Sequence, residues 1–269
     1  MKLEIIEYLS KDSKAPPLLF IHGASHGAWC WRENFLPYFS SKGFSSYALS
    51  LRGHGESEGR ERIHSFSLND YVNDVHEAML LLKDKPVLIG HSMGGAVAQR
   101  ILYLYPDKIK AAVLMASIPP NGMMKDVLRL MFTNFMQYIQ LFFFSKKNYQ
   151  NILSKVFFSD DLPVKKRNEF INFLQPESNK ALKEFTKQIV PKSINTKVPM
   201  LILGSKKDYI FPEKTIINFG KKYKIEPIIF SNISHDMMLD PNWKTVAEQI
   251  VIFLNEISKP PCTKVHNPL

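Results

Sequence analysis

Residues 86–106, reading PVLIGHSMGGAVAQRILYLYP, leave their backbone few alternatives. Val87, Leu88 and Ile89 form a short apolar run with β-branched members, which predicts a strand, and Gly90-His91-Ser92-Met93-Gly94-Gly95 follows at once. Beyond the glycines, Val97, Ala98, Ile101, Leu102 and Tyr105 recur at helical spacing, with Gln99 and Arg100 on the opposite face, and Pro106 ends the helix. Small residues two before and two after Ser92 let the chain bend more tightly than side chains there would permit. The Ser92 hydroxyl is then expected to project from the carboxyl edge of a sheet. The amide of Met93, at the helix N-terminus, faces the same space.

The rest of the chain supplies further strands for that sheet. Apolar runs at 18–21, 47–51, 111–116, 200–203 and 227–230 alternate with helical patterns, and residues 1–12 alternate like an edge strand. Ser67, ahead of Leu68 and Asp70, resembles a helix start, and Tyr71, Val75, Ala78, Met79 and Leu82 give that helix an apolar face. This order argues for an α/β fold with a mostly parallel sheet covered on both faces. The alternation stops between Ile118 and about Pro191. There Met124, Leu128, Met131, Phe135, Ile139 and Phe142 make an amphipathic helical stripe, read as packing against the core. The expected division is a core from 1–118 and 192–258, a helical insertion over 119–191 and a tail over 259–269.

The sequence resembles the α/β-hydrolase family, on the Gly90-x-Ser92-x-Gly94 pattern set between a strand and a helix: the nucleophile elbow. That resemblance implies a serine nucleophile, a helical cap formed by 119–191, and an acid and a histidine later in the chain, in that order. A hydroxyl is a poor nucleophile near neutral pH, so a base must take its proton and a third group must hold the base in the right tautomer. Asp208 lies on the loop after the 200–203 strand, and His235 on the loop between the 227–230 strand and the final helix over 243–257. The expected triad is Ser92, Asp208 and His235. The backbone N–H of Met93 supplies one oxyanion donor, and the resemblance assigns the other to Ala24. Among the rivals, Asp236 reads as a loop or helix-entry carboxylate and Asp240 as an N-cap before Pro241. His91 is expected to pack or hydrogen-bond beneath the elbow, and His22, His26 and His54 read as satisfied loop histidines without metal spacing.

Residues 22–31, HGASHGAWCW, look like the first loop of the methylesterase and hydroxynitrile lyase branch, whereas Arg52-Gly53-His54-Gly55-Glu56-Ser57 is the general bacterial-type loop. The substrate is therefore left open within an expectation of carboxylic ester hydrolysis, a thioester or lactone included. A carbon–carbon lyase or perhydrolase using the same triad is the alternative. A low-turnover ligand-binding receptor on the same fold is an alternative of another class. No metal or organic cofactor is expected, and the partner is a small ester with an apolar portion, acted on by a monomer or homodimer. Cys30 and Cys262 make no disulfide framework, and the N-terminus lacks the apolar core of a signal peptide, which fits a cytoplasmic location. The net charge of +10 is scattered over separate lysine pairs, so nucleic acid is not an expected partner. The most apolar window, 128–144, is interrupted by Arg129, Asn134, Gln137 and Gln140 and is no membrane span.

Overall fold

The strands β1 (Glu4–Tyr8), β2 (Leu18–Ile21), β3 (Ser46–Ser50), β4 (Val87–His91), β5 (Ala111–Met115), β6 (Met200–Ser205) and β7 (Ile228–Phe230) form one sheet in the order β1-β3-β2-β4-β5-β6-β7. The computed structural model describes residues 1–258 apart from 12, 14–15, 134–145 and 192–195. β1 is an antiparallel edge strand against β3, and the remaining pairs are parallel. Leu88 on β4 stands between Leu19 on β2 and Ala112 on β5. Every residue of β2, β4 and β5 is buried. A parallel strand covered on both faces requires this, and it accounts for their uninterrupted apolar runs.

Among the described residues the α-helices are α1 (Trp29–Arg32), α2 (Phe35–Ser41), α3 (Leu68–Leu80), α4 (Met93–Leu104), α5 (Met124–Thr133), α6 (Lys146–Phe157), α7 (Val164–Phe173), α8 (Asn179–Phe185), α9 (Glu213–Tyr223) and α10 (Trp243–Ser258). Because side chains alternate across a strand, β4 feeds two cores. Leu88 packs with apolar residues of α3, α4 and α9, whereas Val87 and Ile89 pack with those of α1, α2 and α10. On the second face, Phe20 sits within 5.0 Å of Trp31 and 5.6 Å of Phe39, ring centroid to centroid. The start of α3 is the one its sequence announces. The Ser67 hydroxyl accepts from the Asp70 N–H, and the Asp70 carboxylate accepts from the Ser67 N–H, an arrangement that contributes about 1 kcal/mol.

Helices α5 to α8 all lie in the chain between β5 and β6. Of the stripe expected there, Phe135, Ile139 and Phe142 lie outside the described residues. Met124 and Leu128 are exposed, at 46% and 44%, which corrects the expectation that they pack against the core. The reason is that α5 docks through its polar side. The Thr215 hydroxyl donates to buried Asp126 at 2.8 Å, and Arg129 donates to the carbonyls of Tyr209 and Ile210 at 3.0 and 2.7 Å. An amphipathic pattern fixes which residues share a face, but not which face turns inward.

Candidate active site

Ser92 connects β4 to α4 with φ 50° and ψ −111°, a left-handed conformation that a non-glycine residue adopts only when its surroundings enforce it. The surroundings here are two close backbone approaches. A Cβ on Gly90 would collide with the Gly94 carbonyl, and one on Gly94 with the carbonyls of Ile21 and His22 at the end of β2. Glycine at both positions lets α4 start directly over the sheet edge. The Ser92 N–H is fixed to the Met115 carbonyl at 2.9 Å.

Ser92 and His235 line one cavity of about 220 Å³ at the carboxyl edge of the sheet. Its walls include Ile118, Met123, Phe157, Leu182, Phe185 and Phe211. Five of these, Ile118, Met123, Phe157, Leu182 and Phe185, come from the segment between β5 and β6. Behind His235, Asp208 accepts from the ring Nδ1 with its two oxygens at 2.9 and 3.0 Å. The carboxylate is aimed by its own loop, since Asp208 Oδ1 also accepts from the amides of Ile210 and Phe211 at 2.8 and 3.0 Å. With Nδ1–H committed to Asp208, Nε2 is the nitrogen left to accept a proton. It is buried with no hydrogen-bond partner among the described residues, the Ser92 hydroxyl included. Catalytic hydrogen bonds often tighten only when substrate is bound. Ala24 and Met93 line the same cavity. Among the described residues, neither of their amides has a protein acceptor.

The histidines around this site divide by their partners. His91 lies beneath the elbow and donates from Nε2 to the His235 carbonyl at 2.9 Å. Burial, reinforced by neighbouring His235, pushes its pKa down to about 3, so it is neutral. His22 donates from Nδ1 to the Gly23 carbonyl and accepts the Leu51 N–H on Nε2. Burial, with His54 nearby, holds it well below the usual histidine value. His26 differs, because both its nitrogens face oxygen: Ala24 O at 2.7 Å and Asp236 Oδ2 at 2.9 Å. Burial works to lower its pKa, but the charge and hydrogen bond of Asp236 outweigh it, and the ring is raised above its ordinary value.

Asp236 lies on the loop between β7 and α10, as one of the two expected readings has it, and not at a helix entry. It is fully buried and paired with His26, 210 residues away in the chain, and sits 3.8 Å from His91. A carboxylate directly ahead of Met237-Met238-Leu239 hints at burial, but nothing beside it says which residue pairs with it. Asp240 accepts from the Asn242 N–H and from both the N–H and hydroxyl of Ser234, ahead of a helix that begins at Trp243. Glu177, a cavity-lining residue between α7 and α8, carried no local signal at all.

Among the described residues, His91, His235 and Asp236 offer ligand atoms up to 4.8 Å apart. That spread exceeds the roughly 3.3 Å edge of a tetrahedral zinc site; each residue is partnered through one atom and keeps a second buried atom without a partner.

A strained serine between strand and helix, an Asp-bound imidazole on the same cavity, and a sheet of this order agree with a match of residues 16–242 to the family model described as alpha/beta hydrolase fold. The chain belongs to the α/β-hydrolase fold family. Among its curated relatives are norfluorocurarine synthase 2 of a Strychnos species and methylesterase 3 of Arabidopsis thaliana. The first is 36% identical over 107 residues, 39% of this chain and 39% of the relative. The second is 29% identical over 115 residues, 42% of this chain and 43% of the relative. The matches thus span about two fifths of those relatives' length. An esterase from Exiguobacterium antarcticum superposes with a TM-score of 0.74 at 16% identity, over 94% of this chain and 95% of that one, which shows a shared fold. No helix among the described residues is long and apolar enough to cross a membrane.

Proposed function

We propose that this α/β-hydrolase cleaves a carboxylic ester through an acyl-enzyme on Ser92. The observation that carries the reading is the Asp208-bound His235, which keeps its Nε2 without a partner and lines the same cavity as the strained Ser92. In this reading the Ser92 oxygen attacks the ester carbonyl carbon while its proton passes to His235 Nε2. The negative charge that develops on the carbonyl oxygen is met by the N–H groups of Ala24 and Met93, each donor contributing roughly 3 kcal/mol to the transition state. The tetrahedral species expels the alcohol, which takes its proton from His235. Water, deprotonated by the same nitrogen, then attacks the acyl-enzyme; the acyl carbon–oxygen bond to Ser92 breaks, His235 returns the proton to the serine oxygen, and the carboxylic acid leaves. Asp208 keeps Nδ1 protonated and stabilises the imidazolium without itself taking the proton.

Residues 119–191 act as a cap over the core of 1–118 and 192–258. The support for this is that Met123, Phe157, Leu182 and Phe185 wall the cavity. The names of several relatives, methylesterases among them, support an ester with a small alcohol. Ser92→Ala is expected to keep the circular dichroism spectrum and Tm while lowering aryl ester turnover by roughly 10⁴-fold or more. It should also abolish labelling by a fluorophosphonate. Hydrolysis that survives the substitution would sink the mechanism. A wild-type protein that neither labels nor turns over would favour the binding reading instead.

A further inference from the structure

One carboxylate interrupts the apolar wall of the cavity. Glu177 is buried and accepts four hydrogen bonds, so both of its oxygens are fully used. Oε1 takes the Tyr71 hydroxyl at 2.7 Å and the Ser178 N–H at 2.7 Å. Oε2 takes His54 Nε2 at 3.0 Å and the Ser25 N–H at 3.1 Å. Burial alone would raise its pKa, but His54, through charge and hydrogen bond, together with the Tyr71 and Ser178 donors, holds it at about 2. Glu177 is thus a carboxylate across the whole range in which an esterase works.

The Ser25 amide is the informative partner. It belongs to the peptide that joins Ala24 to Ser25, and the carbonyl of that same peptide, Ala24 O, accepts from His26 at 2.7 Å. One peptide plane is therefore gripped at both polar ends by buried side chains, each of which is itself ion-paired or hydrogen-bonded behind. The grip is needed, because Ser25 has φ 66°, a left-handed conformation that relaxes when its surroundings let go. The Ser25 carbonyl is held as well, by the Gln175 N–H at 3.0 Å. The Gln175 side chain reaches on to Gly53 O at 2.7 Å and the Gly55 N–H at 2.9 Å. The short stretch from Gln175 to Glu177 thus braces two loops of the sheet edge from the segment between β5 and β6.

Resting on the reading of Ser92 as nucleophile and Ala24 as oxyanion donor, we propose that Glu177 is a positioning residue for the oxyanion site. By fixing the Ala24–Ser25 peptide, it holds the adjoining Ala24 N–H in the direction where charge develops. Glu177 touches no reacting atom; it acts through the backbone of the neighbouring loop. The site is then completed from the segment between β5 and β6, so oxyanion stabilisation depends on how that segment is seated.

Glu177→Gln keeps the volume but turns an NH₂ toward one pair of donors. A donor removed outright from an oxyanion site costs about 10²–10³ in kcat, so a donor misdirected is expected to cost roughly 10–100-fold. KM should stay within about twofold. Affinity for a boronic acid, a stable mimic of the tetrahedral species, should fall in proportion to kcat/KM. Tyr71→Phe removes a donor from the other oxygen and leaves the Ser25 contact in place. It is expected to lower Tm while kcat stays within about twofold.

If Glu177→Gln does not fold, the double variant His54→Gln with Glu177→Gln, which leaves no unpaired buried charge, carries the same readouts. Unchanged kcat and boronate affinity in the folded variant would overturn the proposal. So would a kcat loss in Tyr71→Phe that tracks its loss of Tm. Both results are distinct from failure of the esterase reading, in which the wild-type protein itself neither hydrolyses aryl esters nor labels with a fluorophosphonate.

Discussion

At Ser92, conformation and chemistry are one problem. The residue holds φ 50° because Gly90 and Gly94 let two backbones approach where no side chain would fit. A methyl group at Gly94 would meet the carbonyls of Ile21 and His22, which are backbone atoms and cannot swing aside. Gly94→Ala is therefore expected to cost about 1–3 kcal/mol. In a chain of this size that lowers Tm by roughly 2–4 °C per kcal/mol, with the proposed ester turnover lost in step. A thermal melt indistinguishable from wild type would mean the elbow is looser than these close approaches imply. The glycines, the serine and the flanking strand and helix were all legible in the sequence, because the requirement for a tight turn acts between neighbours. The role of Asp236 was not. Its partner His26 is brought in from the loop after β2, and nothing in Ser234-His235-Asp236 announces that.

Between elements, buried polar pairs do the joining. The His26–Asp236 pair ties the loop after β2 to the loop after β7, with both groups almost wholly out of water. Its stability contribution has a defined pH window. The His26 pKa is raised in the fold, so its share is complete below the ordinary value of 6.5 and is lost as pH climbs through the raised one. The Asp236 pKa is lowered against the pull of burial, chiefly by the charge and hydrogen bond of His26. Its share is complete above the ordinary 3.8 and is lost as pH falls through the lowered value. Breaking a buried pair costs about 3–5 kcal/mol. The Tm deficit of Asp236→Asn should accordingly be widest between about pH 4 and pH 6.5 and shrink on either side. A deficit constant from pH 3 to pH 9 would show that the contact is not an ion pair. The capping box of α3 could be read from Ser67 and Asp70, since both partners lie within one turn. The face of α5 could not, because Asp126 and Arg129 find Thr215 and the 209–210 carbonyls only once the tertiary structure exists.

For the molecule as a whole, the consequence is a small cavity built between the sheet edge and the segment that follows β5. Its volume of about 220 Å³ lies below the roughly 300–1,000 Å³ typical of pockets for drug-sized ligands. A series of aryl esters from acetyl to octanoyl should therefore show kcat/KM highest for short acyl groups. It should fall roughly tenfold or more once the acyl chain outgrows the chamber; a flat response would mean these walls do not bound the acyl group. The sequence by itself determined the alternation of strands and helices, the bend at Ser92 and the order in which the loops bearing Ser92, Asp208 and His235 leave the sheet. All of these follow from spacing along the chain, where burial and backbone geometry act between residues a few positions apart. Only the tertiary structure decided that Glu177 reaches Ser25 across 152 residues and that Asp236 reaches His26 across 210. Such partnerships arise from how separately formed elements pack. A buried carboxylate takes whichever donors the packing delivers, and its sequence neighbours carry no record of which they are.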